Sequence, residues 1–133
     1  MAKIHATRAI ALVGTPFRPQ GRNPSHGLDC IGLCLIAYGL PVSMARDDYR
    51  LRGDHRDEIE TAILTNFRRV GHARPRPGDL LLMLPAADQP HLGILTVGGF
   101  VHADARLRHV VETPGAPSWP VAGTYRLGAG RRG

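Results

Sequence analysis

The stretch Gly27-Leu28-Asp29-Cys30-Ile31-Gly32-Leu33-Cys34-Leu35-Ile36-Ala37-Tyr38-Gly39 reads as a helix enclosed by protein on most sides. Asp29 is placed to cap it, because its carboxylate can accept backbone N–H groups that a first turn leaves unpaired. Gly39 can take the left-handed conformation that closes a helix, and Pro41 blocks continuation. Between the caps nearly every side chain is apolar, so little of the helix is left to face water. Cys30 falls on the first turn, at the positive end of the helix dipole, where a thiolate is stabilised. A thiol pKa below the ordinary value is therefore expected, with Cys30 alkylated faster than Cys34. A reactive tip on a buried helix needs a cleft and a general base, and the rest of the chain has to supply both.

A chain of 133 residues fits one domain with a proper core. Its formal charge is +6, and all but one of the 17 basic residues, Lys3, are arginine. Such a surface favours anionic partners: nucleic acid, anionic lipid or the carboxylates of a cell-wall polymer. The arginines are scattered and only 5% of residues are aromatic, which argues against a specific nucleic-acid site, since that wants a basic stripe or stacking platforms. Cys30 and Cys34 are one helical turn apart, with Cβ atoms roughly 5–6 Å from each other. A disulfide wants about 3.8 Å, so both are expected to stay free thiols. No stretch approaches the ~20 apolar residues that cross a bilayer. The run Ala9 to Val13 is too short for a signal peptide, so a target outside the cytoplasm implies delivery by other means.

Outward from the central helix, residues 2–13 read as an amphipathic helix with Ala6, Ala9, Ile10 and Val13 on one face and Gly14 closing it. Thr15 to Gly27 is a loop dense in Pro and Gly, placed to form one wall of a cleft over Cys30. Residues 42–53 read as an irregular charged segment. Asp54 to Val70 reads as a helix capped by Asp54, with Asp57 at the capping-box position. Its apolar stripe is Ile59, Ala62, Ile63 and Phe67, and Arg68 and Arg69 complement its C-terminal end. Leu80 to Leu84 is a buried strand, and Pro85 to Pro90 a loop. His91 to Val97 and Phe100 to Ala103 form a hairpin about Gly98-Gly99. Leu107 to Glu112 is a further strand, Pro114 to Pro120 a loop, and Val121 to Leu127 a last edge strand. Helices first and antiparallel strands second make an α+β domain over residues 1–127, with the cysteine helix packed on the sheet and residues 128–133 a flexible tail.

Of seven histidines, His5, His26, His55 and His72 lie on helix faces or in loops with nothing to fix them. His91 and His102 sit in otherwise apolar strands, where an idle polar group is costly. These two are the candidate bases for Cys30. Cys34 has no helix-end position and reads as a small buried hydrophobe. A zinc site of Cys30, Cys34, His91 and His102 is disfavoured, because two cysteines four apart on one helix lack the knuckle spacing.

Gly14-Thr15-Pro16-Phe17, Asp29-Cys30-Ile31-Gly32-Leu33, Pro77-Gly78-Asp79-Leu80-Leu81, His91-Leu92-Gly93-Ile94 and Val101-His102-Ala103 occur in the order found in the NlpC/P60 family of cell-wall peptidases, which this chain resembles from about residue 8 to residue 112. With Ile31 after the cysteine, the compact set looks most like the phage-type subgroup. The resemblance implies a papain-like α+β fold and a thiol peptidase that cleaves the peptidoglycan stem peptide without metal or cofactor. Carried over, Cys30 is the nucleophile, His91 the base and His102 the orienting residue. The Cys30 N–H helps to hold the oxyanion, Asp29 caps, and Phe17 lines the substrate wall. Many members carry Tyr where Phe17 stands, and its hydroxyl contacts their active site. The implied partners are stem peptides and phage-tail proteins, with the protein acting at the cell wall from a virion. A wall-binding or tail module without turnover, and an amidase or acyltransferase with the same Cys–His pair, are the alternatives. With Gly98-Gly99 as a two-residue turn, Leu95 pairs with His102, leaving His91 roughly 13 Å away along the strand. Asp104 then lies diagonal to His91 at roughly 7–8 Å and rivals His102 as the orienting group.

Overall fold

The structure is a computed structural model that describes residues 2–41, 56–71, 74–86 and 89–128. The segment 42–53, the capping Asp54, His55, His72 and the tail beyond Gly128 lie outside the described residues. Helix α1 spans Ala2–Ala11, α2 Cys30–Tyr38 and α3 Arg56–Leu64. Short strands β1 (Arg22–Asn23) and β2 (Gly27–Leu28) pair inside the Pro/Gly-rich segment. The main sheet is formed by β3 (Phe67–Arg69), β4 (Leu80–Ala86), β5 (Gln89–Leu95), β6 (Gly99–Asp104), β7 (His109–Pro114) and β8 (Val121–Leu127). Its order is β3-β8-β4-β5-β6-β7, antiparallel throughout. Helix α2 packs on β5 and β6, so the α+β architecture is as the sequence implies.

Both ends of α2 follow local chemistry. Asp29 Oδ1 accepts the Gly32 N–H at 2.8 Å. Gly39 has φ 70°; its N–H donates to Ile36 O at 3.2 Å, and that of Leu40 to Leu35 O at 2.9 Å. This doubled closure uses carbonyls the last turn would otherwise leave bare. A side chain at Gly39 would sit in the left-handed region, so Gly39→Ala is expected to cost about 1–2 kcal/mol, read as a lower urea midpoint.

The apolar run of β4 serves both faces of the sheet. Leu80 and Leu82 join Leu92, Ile94, Val101 and the residues of α2 in the main core. Leu81 and Met83 join Phe100 in a second cluster on the opposite face, with Trp119 packed against it. His91 pairs with Met83 and therefore belongs to that second face.

Several expectations are corrected. Helix α1 ends at Ala11, and of its predicted face only Ala6 and Ala9 are buried, while Ile10 and Val13 are exposed. Helix α3 stops at Leu64, so Phe67, Arg68 and Arg69 form β3 instead of its last turn. That strand pairs with β8, and Arg69 meets Glu60 of α3. Strand β8 is therefore interior, not an edge. It is fixed there by Arg126, whose Nε and Nη2 donate to the two oxygens of buried Asp79, each at 2.8 Å. Strands β4 and β5 run to Ala86 and from Gln89, so the loop between them shrinks. Leu107 is exposed in a turn, and β7 begins at His109.

Candidate active site

The segment 15–27 is strapped across the start of α2 by its backbone. Leu28 N–H donates to Pro16 O at 2.9 Å, Arg18 N–H to Leu28 O at 3.1 Å and Asp29 N–H to Gly21 O at 3.4 Å. The Phe17 N–H donates to Arg108 O at 2.9 Å, and its ring packs against the main core. Arg18, Gln20, Arg22, Asn23 and His26 line a polar recess on this segment. Asp29 is more than a cap. Its carboxylate is buried, accepts the Gln20 N–H at 3.1 Å and pairs with Arg22 Nη1 at 2.7 Å. The cap thus ties the overlying loop to the helix that carries Cys30.

Cys30 and Cys34 are both buried free thiols. The Cys30 side chain is 0% exposed. Its sulfur lies against the backbone N–H of Leu92, the neighbour of His91, and against its own N–H. The expected depression of its pKa is overturned. Burial first, and the charge of Asp29 second, push the thiol up to about 12, outweighing Leu92, Arg22 and its own N–H. The one contribution from the helix end, the Cys30 N–H, is the smallest of these and is outweighed by the loss of water around a fully enclosed sulfur. Cys34 is raised as well, by burial first, and lines an apolar pocket with Ile31, Leu35, Ile59 and Phe67.

The hairpin between β5 and β6 turns about Val97-Gly98, one residue earlier than the Gly98-Gly99 expected. Ile94 pairs with Val101 and Leu95 with Phe100. The intervening turn is held by Thr96, whose N–H donates to Gly99 O at 2.8 Å. Its Oγ1 accepts the Gly99 N–H at 3.0 Å and donates to Glu112 Oε2 at 2.7 Å. Carried one step further, this register sets Gly93 opposite His102, so His102 becomes the diagonal neighbour of His91. Nε2 of His91 and Nδ1 of His102 are 3.0 Å apart. Gly93 matters here, because a Cβ at that position would come within 2.9 Å of Met83 Cε and 3.3 Å of Phe100 Cδ2.

Asp104 does not hydrogen-bond His91. Its Oδ1 accepts the N–H groups of Arg106 and Leu107 at 2.8 and 3.0 Å, closing the turn into β7. Its charge still raises the affinity of both histidines for a proton, though burial wins. His91 is pushed down to about 4, by burial first and by His102 second. His102 is lowered too, by burial first. At neutral pH the thiol and both imidazoles are therefore uncharged; among the described residues no hydrogen bond joins Cys30 to either ring, and its sulfur meets β5 at the Leu92 N–H.

Three groups at the site carried no signal of their own. Thr113 Oγ1 lies 3.0 Å from His102 Nε2. Trp119, the single tryptophan, sets its ring edge-on to both histidines with centroids 5.5 Å away. Phe100 stacks on His102 at 4.9 Å. Strand alternation places Phe100 beside His102, but Thr113 and Trp119 come into range only through strand register and a loop path.

No family model matches the chain, and no curated protein matches it either. Solved structures do. One is a protein described as similar to lipoprotein, of the NLP/P60 family, from Staphylococcus aureus subsp. aureus Mu50. It is 18% identical with a TM-score of 0.58, covering 96% of this chain and 41% of that one. Another is the NlpC/p60 domain of the peptidoglycan hydrolase SagA, 23% identical with a TM-score of 0.52, covering 86% of this chain and 89% of that one. This chain thus spans about two fifths of the first neighbour and nearly all of the second. Likeness at these identities speaks to architecture, and the conclusion it supports is that the chain has the NlpC/P60 fold, an α+β fold with the cysteine-bearing helix on an antiparallel sheet.

Proposed function

We propose that this protein is a cysteine peptidase of the NlpC/P60 type that hydrolyses peptide bonds in the peptidoglycan stem. The observation that carries the reading is the 3.0 Å bond between His91 Nε2 and His102 Nδ1, on a strand whose next residue, Leu92, touches the Cys30 sulfur. In this reading Nδ1 of His91 takes the thiol proton as sulfur attacks the scissile carbonyl carbon. The oxyanion forms near the N–H of Cys30, which has no partner within its own helix. His91 then gives the proton to the leaving amine, and a water activated by the same ring hydrolyses the acyl-enzyme. Both neighbours are NlpC/P60 proteins, and one is a peptidoglycan hydrolase, which supports the substrate class. Assignment to a phage or phage-derived tail enzyme rests on the compact motif set with Ile31 after Cys30.

A second reading, a wall-binding module of the same fold without turnover, is favoured by the fully enclosed thiol and by Phe17, which has no hydroxyl to offer. Mass spectrometry of muropeptides after incubation with the protein separates the two. Stem fragments carrying an added water are the expected result. Wall binding with unchanged muropeptides would overturn the peptidase reading.

A further inference from the structure

His91, His102 and Thr113 form a diagonal line across β5, β6 and β7. Thr113 pairs with Phe100 and His102 with Val111, so Thr113 is the diagonal neighbour of His102 as His102 is of His91. Two contacts of 3.0 Å join the three side chains end to end. A neutral imidazole has one N–H and one bare nitrogen, so each contact constrains the next. If His91 Nδ1 is to accept a proton, its hydrogen must be on Nε2 and donate to His102 Nδ1. His102 must then carry its own hydrogen on Nε2, and Thr113 Oγ1 must accept it. Thr113 is half-buried, so its own hydroxyl proton can turn outward to water.

We propose that Thr113 is a positioning residue: by accepting the Nε2–H of His102 it sets the tautomers of both histidines and leaves Nδ1 of His91 bare. The reversed chain, with the hydroxyl donating, puts hydrogen on Nδ1 of both rings and leaves His91 nothing with which to take a proton. His102 is buried between the rings of Phe100 and Trp119, where an unpaired N–H is costly. Without the hydroxyl oxygen the Nε2–H form loses its partner, and the Nδ1–H form gains.

The consequence for rate rests on the peptidase reading, whereas the tautomers do not, so the two are tested separately. Nitrogen-15 NMR of the histidine rings in the full chain at pH 7 reads the tautomers directly. Wild type is expected to show Nε2–H for both His91 and His102. Thr113→Val, of nearly the same shape, is expected to shift both toward Nδ1–H, and Thr113→Ser to restore the wild-type pattern. Turnover of peptidoglycan should fall about 10-fold or more in kcat with KM unchanged in Thr113→Val, and recover in Thr113→Ser. Nδ1–H on His91 in the wild type, or an unaltered pattern in Thr113→Val, overturns the proposal. Should Thr113→Val not fold, Thr113→Ala, which also removes the oxygen, is expected to give the same shift toward Nδ1–H, and an unaltered pattern there overturns the proposal. A wild type with no turnover refutes the peptidase reading alone and leaves the NMR result to judge Thr113.

Discussion

Cys30→Ala is expected to lower peptidoglycan turnover by about 10⁴-fold or more while the fold survives. The substitution removes the sulfur and nothing else of consequence. Cys30 carries no charge at neutral pH, because its thiol is pushed up to about 12, so no buried ion is left without a partner. The side chain shrinks by one atom, leaving a small void and a stability loss of about 1 kcal/mol. Cys34→Ala is the matched control. It also takes a buried sulfur from α2, but from a position facing the apolar pocket, and turnover should be unchanged. Muropeptide analysis of the two variants, with urea midpoints beside it, separates loss of chemistry from loss of fold. Turnover by Cys30→Ala within tenfold of wild type would remove the nucleophile from the mechanism. The raised thiol pKa has a further meaning. No standing thiolate is available, so in the proposed mechanism proton transfer to His91 has to accompany attack, which makes that base as necessary as the sulfur.

What the residues alone disclosed, and what they hid, divides along the range of the forces involved. The caps of α2 were legible because Asp29 and Gly39 act within one turn of themselves. The buried run Leu80 to Met83 was legible because both faces of β4 are covered, which demands an apolar side chain at every position. Phe67 misled because it continues the Ile59–Ile63 spacing of α3, yet its segment is claimed by pairing with Leu127, sixty residues further along. Gly98-Gly99 misled in the same way. The turn is set by the Thr96 hydroxyl and Glu112 on a strand two elements away, and a two-residue shift follows. That shift is what brings His102 to the diagonal position beside His91, where Asp104 alone had been expected. The two candidate histidines stood out as polar groups in apolar strands, but Thr113 and Trp119 become their neighbours only once the register is known. The Cys30 pKa failed for a related reason: the helix end is visible in the sequence, and complete enclosure of the sulfur is not.

The same enclosure predicts a cost in acid. His91 has an ordinary pKa of 6.5 and is pushed down to about 4 in the fold. Between those values the unfolded chain binds a proton that the native state refuses. Stability therefore rises with pH across the window and is lost as pH falls from about 6.5 to about 4. A shift of that size corresponds to roughly 3 kcal/mol, from about 1.36 kcal/mol per unit, a large share of the 5–15 kcal/mol typical of a domain. His102, lowered by its own burial, acts in the same direction. Asp104 and Glu60, both lowered, start from 3.8 and 4.5, so their stabilisation is lost mostly below the window and does not mask it. Urea unfolding at pH 7 and pH 4.5 reads the effect. Wild type should lose most of that roughly 3 kcal/mol, whereas His91→Gln, which cannot titrate, should show a much flatter profile. Equal slopes in the two proteins would mean that the ring is not held uncharged by its surroundings. With His91 as the base proposed above, a ring that stays neutral down to pH 5 can still accept the thiol proton there, so the acid limb of kcat/KM is expected near 4 rather than 6.5.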